Sequence, residues 1–148
     1  MALRWRKQWV ADETFEAAGV FDVNNAGVLD IVSGAWWYQG PDFKKKHFVG
    51  AVKEYDEYYD DFSTIPLDVN GDGRLDVVTG GWWGNTLRWH ENSGDPKKPW
   101  PEHIIAETGN IETTRAWDVD GDGQVEIIPN TPGAKFIDTG TTLTGGEA

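Results

Sequence analysis

One motif occurs three times along the 148-residue chain and constrains the fold more than any other feature. It reads FDVNNAGVLDIVSGAWW, then LDVNGDGRLDVVTGGWW, then WDVDGDGQVEIIPNTPG, with acidic runs that begin at Asp22, Asp68 and Asp118. These starting points lie 46 and 50 residues apart. Internal periods of about 40–50 residues are typical of propeller blades and other repeat arrays. The chain is therefore expected to consist of similar units in series.

The residues after each motif predict β-strands. Short, mostly β-branched runs bounded by Gly and Asn follow the three acidic runs: Leu29, Ile31 and Val32; Leu75, Val77 and Val78; Val125, Ile127 and Ile128. The stretch TLRWHEN, residues 86–92, alternates apolar with polar side chains, which predicts a strand whose Arg88 and His90 face solvent. No stretch has the period of an amphipathic helix. These patterns predict an all-β fold.

A second echo sets the limits of the units. WPEHIIAET, which ends at Thr108, resembles RKQWVADET, which ends at Thr14, and each precedes the next acidic run. We therefore predict a single domain with a closing strand in residues 1–15, a first blade in 16–62, a second in 63–112 and a partial third in 113–148. The aromatic and acidic stretch EYDEYYDDF, residues 54–62, is an insertion without a clear secondary-structure signal.

The acidic runs suit a hard cation. We call residues 22–30, 68–76 and 118–126 loops 1, 2 and 3, and number each from its first aspartate. Loops 2 and 3 place oxygen-bearing side chains at positions 1, 3, 5 and 9: Asp68, Asn70, Asp72 and Asp76; Asp118, Asp120, Asp122 and Glu126. The backbone carbonyls of Arg74 and Gln124, at position 7, are expected to point inward, after a glycine at position 6. Oxygen ligands from alternate residues of one short loop are what Ca²⁺ binds.

Two alternatives compete with this interpretation. An EF-hand has a similar start but needs a bidentate glutamate at position 12 between two helices, whereas position 12 is Thr79 in loop 2 and Pro129 in loop 3. The runs could also be acidic, glycine-rich turns exposed to water. Loop 1 is the weaker metal candidate, because it offers Asp22, Asn24 and Asp30 but has Ala26 at position 5.

Composition narrows the function classes. The chain carries 25 Asp and Glu against 13 Lys and Arg, a net charge of −12, which disfavours nucleic acid as a partner and favours cations. The sequence contains no cysteine, so neither a disulfide scaffold nor a cysteine zinc site can form. No apolar run is long enough to span a bilayer, and the start, MALRWRKQWVADE, has no visible signal-peptide core. A calcium role would favour an extracellular or periplasmic location.

Tryptophan is unusually frequent, with nine residues. The pairs Trp36–Trp37 and Trp82–Trp83 follow the second predicted strand of their units, and neighbouring strand residues face opposite sides. One member of each pair is expected in the core. The other would contact a neighbouring blade or form an aromatic platform for a sugar ring, with Tyr38, Tyr58 and Tyr59 nearby in sequence.

Catalytic signatures are weak. The histidines at 47, 90 and 103 are too scattered for an evident metal site, and the shared repeat position of His47 and His103 favours a structural role. Neither a Ser/His/Asp pattern, a phosphate loop nor an HExxH motif occurs. We therefore predict no catalytic residues.

The motifs DVNGDGRLDVVTGG, DVDGDGQVEII and DVNNAGVLDIVSGA resemble the FG-GAP/VCBS repeat family. This resemblance implies β-propeller blades with Ca²⁺ in the loop that joins the first two strands of a blade, and metal roles for the side chains at positions 1, 3, 5 and 9 of loops 2 and 3. The stretches RWHENSG and WPEHIIAE have a looser resemblance to the propeller portion of sugar lyases of the aldos-2-ulose dehydratase type.

Closure of a ring shapes the functional hypotheses. Propellers have about four to eight blades, so an arc of three blades is expected to belong to a longer protein or to assemble with copies of itself or another partner. We expect a calcium-stabilised module that binds a carbohydrate or a protein. The alternatives are part of a carbohydrate-active lyase or dehydratase whose active site needs the whole ring, and a purely structural or assembly module.

Overall fold

The protein is all-β. The computed structural model describes residues 3–132 and the backbone of residues 141 and 142. It contains thirteen strands in four antiparallel sheets. Within these residues no helix is present that could cross a membrane. The fold class predicted from the short β-branched runs is confirmed.

Two sheets have four strands each and follow the chain in order. The first contains β1 (Gly19–Phe21), β2 (Asp30–Ser33), β3 (Trp36–Gln39) and β4 (Lys45–Phe48). A small hairpin follows, made of β5 (Glu54–Tyr55) and β6 (Tyr58–Tyr59). The second large sheet contains β7 (Ile65–Leu67), β8 (Asp76–Gly80), β9 (Thr86–His90) and β10 (Glu102–Glu107). In both large sheets each strand pairs with the next one along the chain, as in a propeller blade.

The third sheet contains β11 (Thr113–Trp117), β12 (Glu126–Asn130) and β13 (Thr141–Thr142). We call the three sheets blades 1, 2 and 3. Loops 1, 2 and 3 each join the first two strands of their blade. The remaining residues of the predicted partial third blade, 133–140 and 143–148, lie outside the described residues.

The first strands of the blades lie next to one another, since β7 contacts both β1 and β11. Two apolar clusters fill the spaces between the blades. The first cluster joins blades 1 and 2: Phe21, Val23, Val32, Trp37, Val49, Val77 and Trp100. The second joins blades 2 and 3 around Val78, Leu87, Ile111 and Ile127. Face-to-face packing around a common inner edge is the arrangement of propeller blades, so each blade depends on its neighbours for a core.

Burial on both faces corrects one expectation about β9. Arg88 and His90 were expected to face solvent, but they are 7% and 8% exposed. Their side of the strand faces blade 1, while Leu87 faces the second cluster. Alternation identified the strand correctly and its exposure wrongly, because a strand between two blades has no solvent face.

The N-terminal segment contains no strand in residues 3–18. It lies along blade 1 instead: the hydroxyl of Tyr38 donates to Glu13 at 2.6 Å, and the hydroxyl of Ser33 donates to the carbonyl of Ala17 at 2.9 Å. Residues 1–15 were predicted to form the closing strand of a complete ring. A single chain does not test this, so it stays a prediction.

Candidate metal centre

The aspartate at position 1 organises each loop by accepting two backbone hydrogen bonds, from positions 5 and 6 in loops 1 and 2 and from positions 4 and 6 in loop 3. Asp22 accepts hydrogen bonds from the backbone N–H groups of Ala26 and Gly27 at 3.0 and 2.6 Å. Asp68 accepts from the N–H groups of residues 72 and 73 at 3.0 and 2.9 Å. Asp118 accepts from those of residues 121 and 123 at 2.7 and 3.1 Å. The carboxylate therefore shapes its turn even in loop 1, which lacks a complete set of metal ligands.

Two left-handed residues tighten every loop. Positions 4 and 6 have positive φ in all three: Asn25 and Gly27, Gly71 and Gly73, Gly121 and Gly123. Glycine adopts this conformation without steric cost, and asparagine tolerates it better than most residues. The sequence indicated the glycine at position 6. The requirement at position 4 was missed, although Asn25 in place of glycine was a readable signal.

The carboxylate at position 9 is buried and links the loop to the end of the third strand. Asp30 and Asp76 are 1% and 0% exposed. One oxygen of each accepts the N–H of loop position 2, at 2.9 Å in both loops. The other oxygen accepts the N–H of Gly40 at 2.7 Å or that of Asn92 at 2.8 Å. This bridge was not predicted, since position 9 was interpreted only as a ligand.

Loop 3 brings carboxylates together most closely. Oxygen atoms of Asp118, Asp120 and Glu126 lie within 4.8 Å of one another. Asp118 and Asp120 are exposed, whereas Glu126 is 6% exposed and accepts the N–H of Val119 at 2.6 Å. Three carboxylates in one cluster repel one another unless a cation or protons neutralise them. Of the predicted ligands in loop 3, Asp122 is not in this cluster, and its side chain accepts the N–H of Gln124 at 2.7 Å.

Loop 2 has the same backbone but a different charge balance. Asp72 forms an ion pair with the guanidinium of Arg74, and Asn70 donates to Asp72 at 3.2 Å. Burial raises the pKa of Asp76, and the nearby charges of Asp72 and Asp68 add to the rise, while the two backbone donors oppose it. The guanidinium of Arg74 thus neutralises part of the negative charge of loop 2.

The oxygen donors of loops 2 and 3 fit Ca²⁺. All are carboxylate, amide or backbone oxygens, the donor types that calcium prefers. A carboxylate oxygen has more than one lone pair, so an oxygen that accepts a backbone N–H can also coordinate a cation. Loop 1 fits less well, because Ala26 supplies no side-chain oxygen at position 5. The N–H of Ala26 is instead held by Asp22 and Asn24.

The predicted aromatic platform is divided by the fold. Trp37 and Tyr38 are each 3% exposed, which leaves them little surface to offer a ligand, while Trp36 is half-buried beside Phe48. Trp82 and Trp83 lie in the five-residue connection between β8 and β9. The expected equivalence of the two tryptophan pairs is wrong, because the matching connection between β2 and β3 has only two residues.

Ring stacking identifies the tryptophans that occupy equivalent positions in blades 1 and 2. Trp37 stacks on His47 with ring centroids 4.1 Å apart, and Trp89 stacks on His103 at 4.6 Å. Each pair joins the third and fourth strands of its blade. This packing is what a structural role for His47 and His103 predicts, and that role stays a prediction.

A different aromatic cluster surrounds Trp83. Tyr55 stacks on it at 5.3 Å between ring centroids, and Tyr58 and Phe62 approach it at 5.5 and 5.9 Å. Tyr58 is 50% exposed. Trp83 and the nearby Tyr58 were part of the predicted platform, whereas the contacts of Tyr55 and Phe62 with Trp83 were missed, because the insertion before blade 2 carried no strand signal.

The same insertion places the carboxylates of Asp60 and Asp61 between blades 1 and 2. Arg88 pairs with Asp60 at 3.3 Å and with Glu102 at 3.4 Å. Asp61 accepts the hydroxyl of Thr79 at 2.9 Å. Burial raises the pKa of Asp61 to about 6.

His90 lies in the same polar region, 3.7 Å from the carboxylate of Glu102. It lines a cavity of about 10 Å³ together with Asp61 and Arg88. Burial lowers the pKa of His90 to about 4. Within the described residues, Oδ2 of Asp61 and Nδ1 of His90 have no hydrogen-bond partner. No pattern in the sequence indicates this cluster.

The fold and the loops define an array of propeller-type blades with acidic inter-strand loops. Residues 68–128 match the family model described as an FG-GAP-like repeat. The matched segment runs from the start of loop 2 into the second strand of blade 3, and it supports the FG-GAP repeat resemblance inferred from the motifs. The comparisons with curated proteins and with solved structures returned no match. The looser resemblance to sugar lyases therefore has no support among these findings.

Proposed function

We propose that this chain is a calcium-stabilised β-propeller module that presents a ligand-binding surface. The observation that carries the calcium role is the convergence of Asp118, Asp120 and Glu126 in loop 3. In this loop Ca²⁺ would be held by these side chains, by Asp122 and by the carbonyl of Gln124. When bound, the ion supplies positive charge that offsets the repulsion between carboxylates.

Loop 2 is the second proposed site. Its ligands would be Asp68, Asn70, Asp72 and Asp76, with the carbonyl of Arg74. The Arg74 side chain already neutralises Asp72, so we expect loop 2 to bind more weakly than loop 3. Sites of modest affinity fit an extracellular or periplasmic setting, where calcium modules work at about 10⁻⁴–10⁻³ M.

Thermal unfolding tests the calcium role. Calcium should raise the melting temperature relative to EDTA, because a ligand bound only by the folded state stabilises that state. The double variant Asp118→Asn/Asp120→Asn should lose most of this shift. Asp22→Asn in loop 1 is the matched control and should keep it. An equal melting temperature in calcium and EDTA for the unmodified chain would refute the proposal.

The proposed ligand surface is the aromatic cluster around Trp83, and carbohydrate is the favoured ligand. Aromatic rings pack against the apolar C–H faces of sugar rings while their polar edges stay wet. Tyr58 is half exposed beside Trp83, and Asn85, in the same connection, is exposed and adds an amide.

Titration with soluble polysaccharides, followed by calorimetry, tests the ligand. Tyr58→Ala should weaken binding by about tenfold or more, in the range of an interfacial aromatic hot spot. Trp5→Ala, which removes a side chain that is 90% exposed, is the control. Binding of a polysaccharide without formation of a product would support a binding module. Conversion of a keto-sugar would favour the lyase alternative. If neither binding nor conversion is observed, a structural or assembly role remains.

A further inference from the structure

Each blade contact in this molecule is built from the same repeat positions. The preceding blade contributes the residue before its loop and loop position 2, which are Phe21 and Val23 in blade 1. The following blade contributes positions 8 and 10 of its own loop, which are Leu75 and Val77 in blade 2. Phe21 and Val23 are 4% and 2% exposed, so this contact is closed to water.

The contact between blades 2 and 3 repeats the pattern. Leu67 and Val69 of blade 2 pack against the cluster that contains Ile127 of blade 3. Val125 lines the groove beside them. Two independent contacts thus show that these repeat positions form the packing surface of a blade.

Among the residues that the structure describes, one half of such a contact remains exposed at each end of the arc. At the blade 3 end, Trp117 and Val119 occupy the positions of Phe21 and Val23 but are 59% and 58% exposed. At the blade 1 end, Leu29 is the counterpart of Leu75 and is 59% exposed, and Ile31 is only partly buried. The exposed halves are complementary to each other. The blade 3 end presents the residues that a preceding blade contributes to a contact, and the blade 1 end presents the residues that a following blade contributes. We call the exposed face of blade 1 the acceptor surface.

The N-terminal segment leaves the acceptor surface accessible. It covers the part of blade 1 around Tyr38 and Ser33, through Glu13 and Ala17. Val20, on the first strand of that blade, is still 60% exposed. The inner part of the face, where a neighbouring blade would pack, is therefore open.

We propose that a second copy of this chain covers both faces, with blade 3 of each copy packed on blade 1 of the other. Trp117 and Val119 of one copy contact Leu29 and Ile31 of its partner. The contact is heterologous, and such contacts generate a ring when the rotation closes. Two copies with three blades each give six blades, which lies within the four to eight that propellers use. Three copies would exceed that number.

Light scattering on the full 148-residue chain tests this assembly. The expected mass is twice the chain mass of 16.5 kDa. Trp117→Asp and Leu29→Lys should each weaken the dimer at least tenfold, as expected for a hot-spot change. Ile104→Lys is the matched control, because Ile104 is 62% exposed but lies in β10, away from both faces. It should remain dimeric. Circular dichroism of each variant checks that the blades are folded.

Mixing the two disruptive variants distinguishes the proposed contact from a symmetric one. Trp117→Asp keeps an intact Leu29 face, and Leu29→Lys keeps an intact Trp117 face. A mixture should therefore form a mixed dimer with one native contact and one contact between opposite charges, detectable by native mass spectrometry. Failure of the mixture to dimerise would overturn the head-to-tail arrangement. A monomeric unmodified chain at its highest soluble concentration would overturn the second copy as occupant. Neither readout involves the sugar surface, and light scattering in both calcium and EDTA separates the assembly from the calcium role, since Val119 lies in loop 3.

Discussion

The position-9 aspartate shows how one side chain can have a structural role apart from metal binding. Asp30 closes loop 1 through two backbone N–H groups and is almost completely buried. Loop 1 lacks a position-5 ligand, yet its hydrogen bonds match those of loop 2. The shape of these loops therefore comes from carboxylate–backbone hydrogen bonds, and the calcium proposed for loops 2 and 3 would add to their stability.

This separation predicts the effect of Asp30→Ala. The N–H groups of the buried Val23 and the half-buried Gly40 would lose their acceptor, which should reduce the free energy of unfolding by about 2–5 kcal/mol. The loss should be the same in calcium and in EDTA, because loop 1 is not expected to hold the ion. Urea denaturation in both buffers measures it. A loss confined to calcium would instead make Asp30 a metal ligand.

The shifted pKa values of Asp61 and His90 predict opposite pH dependences of folding stability. The raised pKa of Asp61, about 6 against 3.8, means that its contribution favours folding below about pH 4 and is lost as the pH rises to about 6. The lowered pKa of His90, about 4 against 6.5, means that its contribution is present above about pH 6.5 and is lost as the pH falls to about 4. The neighbouring charges are Asp60, Arg88 and Glu102, and His103 adds to the shift of His90.

Asp61→Asn should remove the first dependence and leave the second. Relative to the unmodified protein, the variant should gain about 2–3 kcal/mol in free energy of unfolding between pH 4 and pH 7, from a pKa difference of about two units. Urea denaturation across this range measures the difference. A constant difference would contradict the assignment of a raised pKa to Asp61.

At the level of elements, the three inter-strand loops keep one backbone path with different side chains. Positions 4 and 6 are left-handed throughout, and a Cβ added at Gly71 or Gly73 would meet no atom within 4 Å. The constraint at these positions is therefore conformational rather than steric crowding by neighbours.

Substitutions at Gly71 separate these effects. Gly71→Ala should cost about 1–2 kcal/mol, the penalty for a Cβ in a left-handed conformation. Gly71→Asn should cost less, since Asn25 holds the same position in loop 1 at φ 56°. Chemical denaturation in EDTA measures both without a contribution from calcium. Equal costs for alanine and asparagine would show that the loop changes its path on substitution.

For the whole molecule, the 46- and 50-residue repeat was sufficient to predict blades, because the strand pattern and the loop pattern recur together. Burial could not be predicted from alternation alone. Arg88 is buried since both faces of β9 pack against neighbouring blades, and that depends on the array rather than on the strand. Asp61 was missed as a site residue for the same reason, and Trp83, although predicted as a platform residue, was expected to have other neighbours than Tyr55 and Phe62. Their surroundings come from an insertion whose position only the tertiary structure reveals.

Calcium stoichiometry is the most direct test of the account at this scale. Isothermal titration calorimetry of the metal-free chain should give two calcium ions per chain, with the tighter one lost in Asp118→Asn/Asp120→Asn and the weaker one lost in Asp68→Asn. Loop 1 should add no third ion. Two sites that disappear with these separate variants are the predicted result. A titration without binding, or with binding that persists in all of these variants, would contradict the central claim.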